Sequence, residues 1–424
     1  MIKVRILFLS NIYPPVARGG YEQWCQEVAT ELVQQNHQVC VLTSRAQNLT
    51  EESVHNGVEI YRLLNLEVEQ GQGLLNTAIR LLRDHKRIEQ ENLSCVHKLV
   101  AGFQPEVAMI WGMWNVPRSV PALVEQLLPG RVAYYLCDYW LSYPSAYIQR
   151  WQEPSRRVMT QWPKQLIGKP FLSRLAKDPS ISLKLEYPIC VSKAVQRLLL
   201  EAGVPVDHAR IIYGGTQVED FSTVAGSNPQ PGLPDQPLRL LFVGRVLPMK
   251  GVHTAIRAMG LLADQSTAPI TLDIVGRGAP DYETYLRELV KQHHLDQNIF
   301  FRGRVHHSEM PALLAQYDAL IFSSEWEEPF ARTVLEAMAA GLVVIGTTTG
   351  GTGEILVEGK TGLTFPAGNA EVLADQICRL SNDVKLRQKL ARDGRQSVKK
   401  YFTFTRMVNQ IEDALQAVLI QEKF

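Results

Sequence analysis

The 424-residue chain is 46% hydrophobic and 21% charged, which places it with folded globular proteins and excludes disordered or fibrous classes. Its formal net charge of +1 gives no global attraction to nucleic acid, so no nucleic-acid partner is expected and any anion must be held by locally placed charge. Six cysteines without a Cys-x-x-Cys pair read as buried thiols in a reducing compartment, and no run approaches ~20 apolar residues, so a cytoplasmic chain without a membrane-spanning helix is expected.

The first element is the apolar run "VRILFLS", read as a buried strand because no small-residue cleavage site marks it as a signal peptide. The turn "PPVARGGYEQ" follows and leads into the helical pattern "YEQWCQEVATELVQQ". Gly19 and Gly20 let backbone N–H groups approach an anion at that helix start, although a glycine pair serves a plain turn equally well. The spacing is not G-x-G-x-x-G, so a dinucleotide fingerprint is absent. "QVCVLTS", "VAMIWG", "RVAYYLC" and "YPICVS" are further short apolar runs with helical patterns near them, which predicts a parallel sheet. After the third of these comes "DYWLSYP", where Asp138 and Tyr139 open an aromatic stretch that is either a sugar-stacking surface or a packed loop. Residues 150–177 carry seven basic residues with Trp151 and Trp162. This segment reads either as a peripheral contact with the inner membrane face or as an insertion packed on the first domain.

Residues 222–237, "STVAGSNPQPGLPDQP" with its neighbours, read as a linker by their Pro, Gly and Ser content. The strand–helix alternation then restarts with "LRLLFVG", "TLDIVG", "NIFFRG", "ALIFSS" and "LVVIGT". The expected organisation is therefore α/β throughout. A Rossmann-like acceptor-side domain spans 1–221 and a Rossmann-like donor domain spans 238–400, the two facing across a cleft. A C-terminal helix within 401–424 packs back on the first domain. Ligands in such sheets bind outside the carboxyl ends of the strands.

Two stretches of the second half carry chemistry. In "LLFVGRVLPMKG", Arg245 follows a strand and Lys250 precedes the next helix; a planar fork and a mobile point charge at one strand end suit a diphosphate. No G-x-x-x-x-G-K-[ST] is present, so a P-loop ATPase is not supported. In "SSEWEEPFARTVLEAMAAG", Glu328 and Glu336 are separated by seven residues. The strand "ALIFSS" puts Glu328 in the loop, and the good helix formers before Gly341 put Glu336 one to two turns into a helix. The N–H groups of Ala331, Arg332 and Thr333 then point from a helix start. One carboxylate at each end can accept hydroxyls from two polyhydroxylated groups flanking a diphosphate, as in a nucleotide sugar. Spacing alone equally allows Glu336 to be an exposed helix residue.

These motifs, taken in order, resemble the retaining glycosyltransferases of family 4, which have the GT-B fold. The resemblance rests on "EPFARTVLEAMAAG", "FVGRVLPMKG", "LDIVGRG" and "TTTGGTGEILVEGKTGLTFPAGN", and on "NIYPPVARGGYEQWCQEVATELVQQNHQV" and "VSKAVQRLLLEAGVPVDHARIIYGGTQVEDF" in the first half. It implies a hexosyltransferase that moves a sugar from a nucleotide-diphosphate donor with retained anomeric configuration, using no metal and no cofactor. Arg245 and Lys250 would bind the donor diphosphate, Glu336 the ribose, and Glu328 the donor sugar near the reacting centre. The backbone from Phe330 through Ala331 and Arg332 to Thr333 would add phosphate contacts. Val305 would lie near the base, and Gly19 and Gly20 would approach from the first domain. The acceptor would be a glycan, a lipid-linked glycan or a small molecule, in glycan or glycoconjugate biosynthesis. Alternatives on the same fold are a nucleotide-sugar epimerase or hydrolase, and a non-catalytic nucleotide-sugar-binding protein. Three positions depart from the family: Ala331 stands for its glycine, Cys137 for a common histidine, and "GGTQ" at 214–217 for "NGVD".

Overall fold

The computed structural model describes residues 3–17, 19–67, 83–143, 181–225, 238–262 and 269–421. The 150–177 segment, and the Pro/Gly-rich stretch from 226 onward to 237, lie outside the described residues. The chain forms two compact units. The first comprises Met1–Val191, Val195–Ile212 and Val408–Phe424; the second comprises Ser192–Ala194 and Tyr213–Met407.

The first unit holds strands β1 (Arg5–Leu9), β2 (Gln38–Ser44), β3 (Glu52–His55), β4 (Val58–Leu64), β5 (Val107–Ile110), β6 (Val132–Leu136), β7 (Tyr187–Cys190) and β8 (Arg210–Ile211), in the order β3-β4-β2-β1-β5-β6-β7-β8. Strands β5, β6 and β7 are buried along their whole length, as expected for strands covered on both faces. One edge departs from the parallel expectation: β3 runs antiparallel to β4. The cause is local. Asn56 and Gly57 both take positive φ (50° and 80°) between the two strands, which is the two-residue hairpin turn that Asn-Gly favours. The sheet direction reverses its strand order between β1 and β5, next to the helix Gly20–Gln34.

The second unit holds β9 (Leu238–Val243), β10 (Ile270–Val275), β11 (Ile299–Gly303), β12 (Ala319–Phe322), β13 (Val343–Gly346) and β14 (Leu363–Thr364), all parallel, in the order β11-β10-β9-β12-β13-β14. Leu240, Leu272, Ile345 and Val343 from the strands pack with Ile256 and Leu373 from the helices Val252–Leu262 and Ala370–Asn382 in one apolar core. The strand order reverses between β9 and β12, so their carboxyl ends diverge from a common point and leave room there for a ligand.

The helix Val218–Ala225 extends into the stretch that composition reads as linker, with Val218 and Phe221 buried in the second unit. The last helix, Phe404–Leu419, belongs to the first unit from Val408 onward; there His37 Nε2 lies 3.2 Å from Glu412 Oε1. Cys25, Cys40, Cys137 and Cys190 are buried, but Cys95 and Cys378 are only partly so, because each lies on a helix face at the rim of its core. Among the described residues no helix is long and apolar enough to cross a membrane.

Candidate functional site

The densest arrangement of sequence-predicted site residues lies at the carboxyl ends of β9 and β12. Beyond β9, Gly244 and Arg245 lead to a single 3-10 turn, Pro248–Lys250. Gly251 follows with φ +64°, and a Cβ built on it would sit 2.0 Å from the Ser323 carbonyl oxygen. Only glycine therefore lets this loop lie against the end of β12. The contact is sealed by hydrogen bonds: the Glu325 N–H donates to the Met249 carbonyl (2.9 Å), and Ser323 Oγ donates to the Lys250 carbonyl (3.0 Å). This apposition brings Lys250 Nζ into an ion pair with Glu328 Oε1, and the same oxygen accepts from Ser324 Oγ at 2.7 Å. Both side chains of the pair are largely buried, and Lys250 Nζ also lies 5.7 Å from the Trp326 ring centroid. Arg245, by contrast, is exposed and enters no ion pair among the described residues.

Pro329 lies in the loop, and the helix Arg332–Ala340 starts after Ala331 and stops at left-handed Gly341 (φ 88°). Two glycines brace the loop from outside. The Gly351 N–H donates to the Glu328 carbonyl (2.7 Å), and Gly350, at φ +57°, sits where a Cβ would be 2.2 Å from that same oxygen. Phe330 is buried, its ring stacked on Tyr213 with centroids 5.5 Å apart, so only its backbone is offered to the helix start. Ala331 is also buried, and Thr333 is half-buried. The first intrahelical bonds go to the Ala331 carbonyl from Val334 and Leu335, which places Arg332 and Thr333 in the first turn of the helix.

Glu336 is not an exposed helix residue. It is 2% exposed, and its Oε1 accepts from Arg332 Nε (2.8 Å) and from His307 Nε2 (2.9 Å). Burial would push this carboxyl up, but the His307 hydrogen bond and the Arg332 charge outweigh it and hold the group below the ordinary carboxylate value. His307 belongs to the loop beyond β11, which also carries half-buried Val305.

The remaining predicted residues belong to the first unit and sit near its own strand-order reversal. Gly19 precedes the helix Gly20–Gln34, and its N–H donates to Glu22 Oε2 (2.9 Å), a side chain that is fully buried. Its φ of −159° is ordinary extended backbone, so no special conformation calls for glycine there. Asp138 follows β6 and accepts the Trp140 N–H at 2.9 Å. Tyr139 and Trp140 are each 5% exposed, so their rings are packed into the unit and not presented as stacking faces. Burial pushes the Asp138 carboxyl up to about 6, against the lowering by the Trp140 N–H and with help from the Glu22 charge. A carboxyl whose folded value is raised costs stability as pH rises from its ordinary value through the folded one. Between pH 4 and pH 6 the native protein should therefore lose stability at this group. Asp138→Asn, which keeps the acceptor oxygen, should remove that loss: near pH 7 it should be more stable than the parent by at most about 3 kcal/mol, less in proportion to the partial exposure of Asp138. Denaturant melts at pH 4 and pH 7 test this; identical pH dependence in both proteins would refute the assignment.

Residues 227–397 match the family described as glycosyl transferases group 1. The match covers less than half of the chain and lies within the second unit. It contains Arg245, Lys250, Glu328 and Glu336, together with the second unit's whole sheet. The N-acetyl-alpha-D-glucosaminyl L-malate synthase of Bacillus anthracis is 31% identical over 192 residues, which are 45% of this chain and 49% of that one. The chain spans about half the length of the curated relatives it matches. Among solved structures, the sucrose-phosphate synthase of Thermosynechococcus elongatus superposes with a TM-score of 0.73 at 18% identity, covering 99% of this chain and 100% of that one. HepE of Anabaena, solved in complex with UDP-glucose, gives 0.67 at 20% identity over 98% of this chain and 100% of that one. The fold is GT-B.

Three residues of the matched region that touch the glutamates escape sequence reading. Ser324 and His307 are the hydrogen-bond partners of Glu328 and Glu336, and Gly350 walls the Glu328 backbone. Only Gly350 had a visible signal, in the glycine pair of "TTTGGTGE"; a serine at a strand end and a histidine in a polar loop announce nothing by type.

Proposed function

We propose that the protein is a retaining, metal-independent glycosyltransferase that moves a hexosyl group from a nucleotide-diphosphate sugar to an acceptor in glycan or glycoconjugate biosynthesis. The observation that carries this reading is the convergence at the β9/β12 switch point. There Lys250 pairs with the buried carboxylate of Glu328 just before a helix start, a second buried carboxylate, Glu336, lies on that helix, and Arg245 follows the end of β9. The UDP-glucose complex of the similarly folded HepE supports a nucleotide sugar as the donor class.

In this reading Arg245 and Lys250 take the two phosphates, and the N–H groups of Arg332 and Thr333 add to the positive potential there. Lys250 must then share or release Glu328, whose carboxylate becomes an acceptor for donor-sugar hydroxyls. Its Oε1 already takes both Lys250 Nζ and the Ser324 hydroxyl, so the group serves as a hydrogen-bond acceptor. The acceptor hydroxyl instead passes its proton to the leaving phosphate on the same face of the sugar, which leaves the anomeric configuration unchanged. Glu336 reads the ribose, and Val305 lies beside the base. Asp138 and Tyr139 stay with the acceptor side; since the Tyr139 ring is packed, its contribution is to shape the loop.

A panel of nucleotide sugars, followed for slow hydrolysis without acceptor, tests the reading: one donor should be hydrolysed well above the rest, and no turnover of any would count against it. Arg245→Ala should weaken nucleoside-diphosphate binding by about tenfold or more, the size of one charge-assisted hydrogen bond. The side chain is exposed and makes no ion pair among the described residues, so the fold should be unaffected; unchanged affinity by calorimetry would remove Arg245 from the site.

A further inference from the structure

Two donors from different elements converge on a single oxygen of Glu336. Arg332 lies one turn earlier on the same helix, and its charge already balances the carboxylate. His307 comes from the loop beyond β11, 29 residues away in sequence, and is one-third exposed, so satisfying a charge does not explain its place. Among the described residues the other oxygen, Oε2, receives no hydrogen bond, although the side chain is only 3% exposed. Oε2 is not among the fully buried atoms left without a partner, so it keeps some exposure and a ligand hydroxyl can reach it.

We propose that His307 is a positioning residue for nucleotide recognition: by holding Oε1 together with Arg332 it fixes the rotation of the carboxylate and dedicates Oε2 to the ribose hydroxyls of the bound nucleotide. This rests on the reading of Glu336 as the ribose-binding group. The imidazole serves whenever Nε2 carries its hydrogen, in the neutral ring or the charged one. The same bond ties the Val305 loop to the Arg332–Ala340 helix, so the two sides of the nucleoside subsite move together. Arg332 alone cannot do this, because it rides on the helix that carries Glu336.

The test is the ratio of affinities for each of the four common ribonucleoside diphosphates and its 2′,3′-dideoxy form, by calorimetry. His307→Ala should lower that ratio by about three- to tenfold, the size of a modest hydrogen bond misplaced. It should leave the affinity for the dideoxy form nearly unchanged. His307→Gln, whose amide nitrogen reaches about as far as Nε2, should restore most of the ratio. A purely structural role would weaken ribo and dideoxy forms alike and would overturn the proposal. Glu336→Gln separates the two layers of the argument. If it collapses the ratio while His307→Ala does not, positioning by His307 is wrong. If it too leaves the ratio unchanged, or if none of the four nucleotides binds, the ribose reading of Glu336 fails and the proposal with it.

Discussion

Lys250→Met should lower turnover by about two to three orders of magnitude, the effect of removing one preorganised donor from a site where negative charge develops. The lysine is held at the β9/β12 switch point by Gly251 and by hydrogen bonds from Ser323 and Glu325, so little reorganisation is needed when a diphosphate leaves. The substitution has a second consequence. It strips the partner from Glu328, a carboxylate 9% exposed that would retain only the Ser324 hydroxyl among its described donors. Breaking a buried pair from one side is destabilising by about 3–5 kcal/mol where the remaining charge is fully desolvated, and by less at this partial exposure. The double variant Lys250→Met/Glu328→Gln separates the two effects: stability should return, because no lone charge is left, while turnover should not. Turnover within tenfold of the parent in Lys250→Met would mean that the lysine does not face the leaving group.

Gly251→Ala should strongly destabilise the second unit. At φ +64° an alanine is strained by about 1–3 kcal/mol. Its Cβ would also meet the Ser323 carbonyl oxygen at 2.0 Å. That oxygen is backbone at the end of a buried strand and cannot rotate aside, so the loop must move, at an overpacking cost of about 1–3 kcal/mol. A total loss of roughly 2–5 kcal/mol in denaturant melts is expected on these terms. Because the displaced loop carries Lys250 away from Glu328, nucleoside-diphosphate affinity should fall with it. Gly19→Ala is the matched control for stability: its φ is −159° and nothing lies closer than 3.6 Å to the added Cβ, so its melt should be nearly unchanged. Equal melts for Gly251→Ala and the parent would contradict the packing described here.

Much of this was legible in the sequence, and the limits are physical. The buried strands show as apolar runs, and the helix at Arg332–Ala340 shows by its formers and by Gly341, because these are local preferences. The reversal of strand order between β9 and β12 is not local. Without it, no reading of "VLPMKG" and "SSEWEEPF" could pair Lys250 with Glu328, 78 residues apart. For the same reason Glu336 could not be told from a surface glutamate: its burial depends on His307 and on the Val218–Ala225 helix, which packs against its own helix in the second unit. At residues 138–143 the sequence left a stacking surface and a packed loop open, and Tyr139 and Trp140 are packed; aromatic content does not tell which way a ring faces. The antiparallel β3 could have been found, since "HNGV" carries the Asn-Gly hairpin signal in four letters.

The central claim is transfer with retention, with Glu328 acting on the donor sugar and not as a base. The measurement that tests it most directly is the anomeric configuration of the product, read from the proton coupling at the anomeric carbon and compared with that of the donor selected by the nucleotide-sugar panel. The account predicts the same configuration in donor and product; a product of inverted configuration would contradict it.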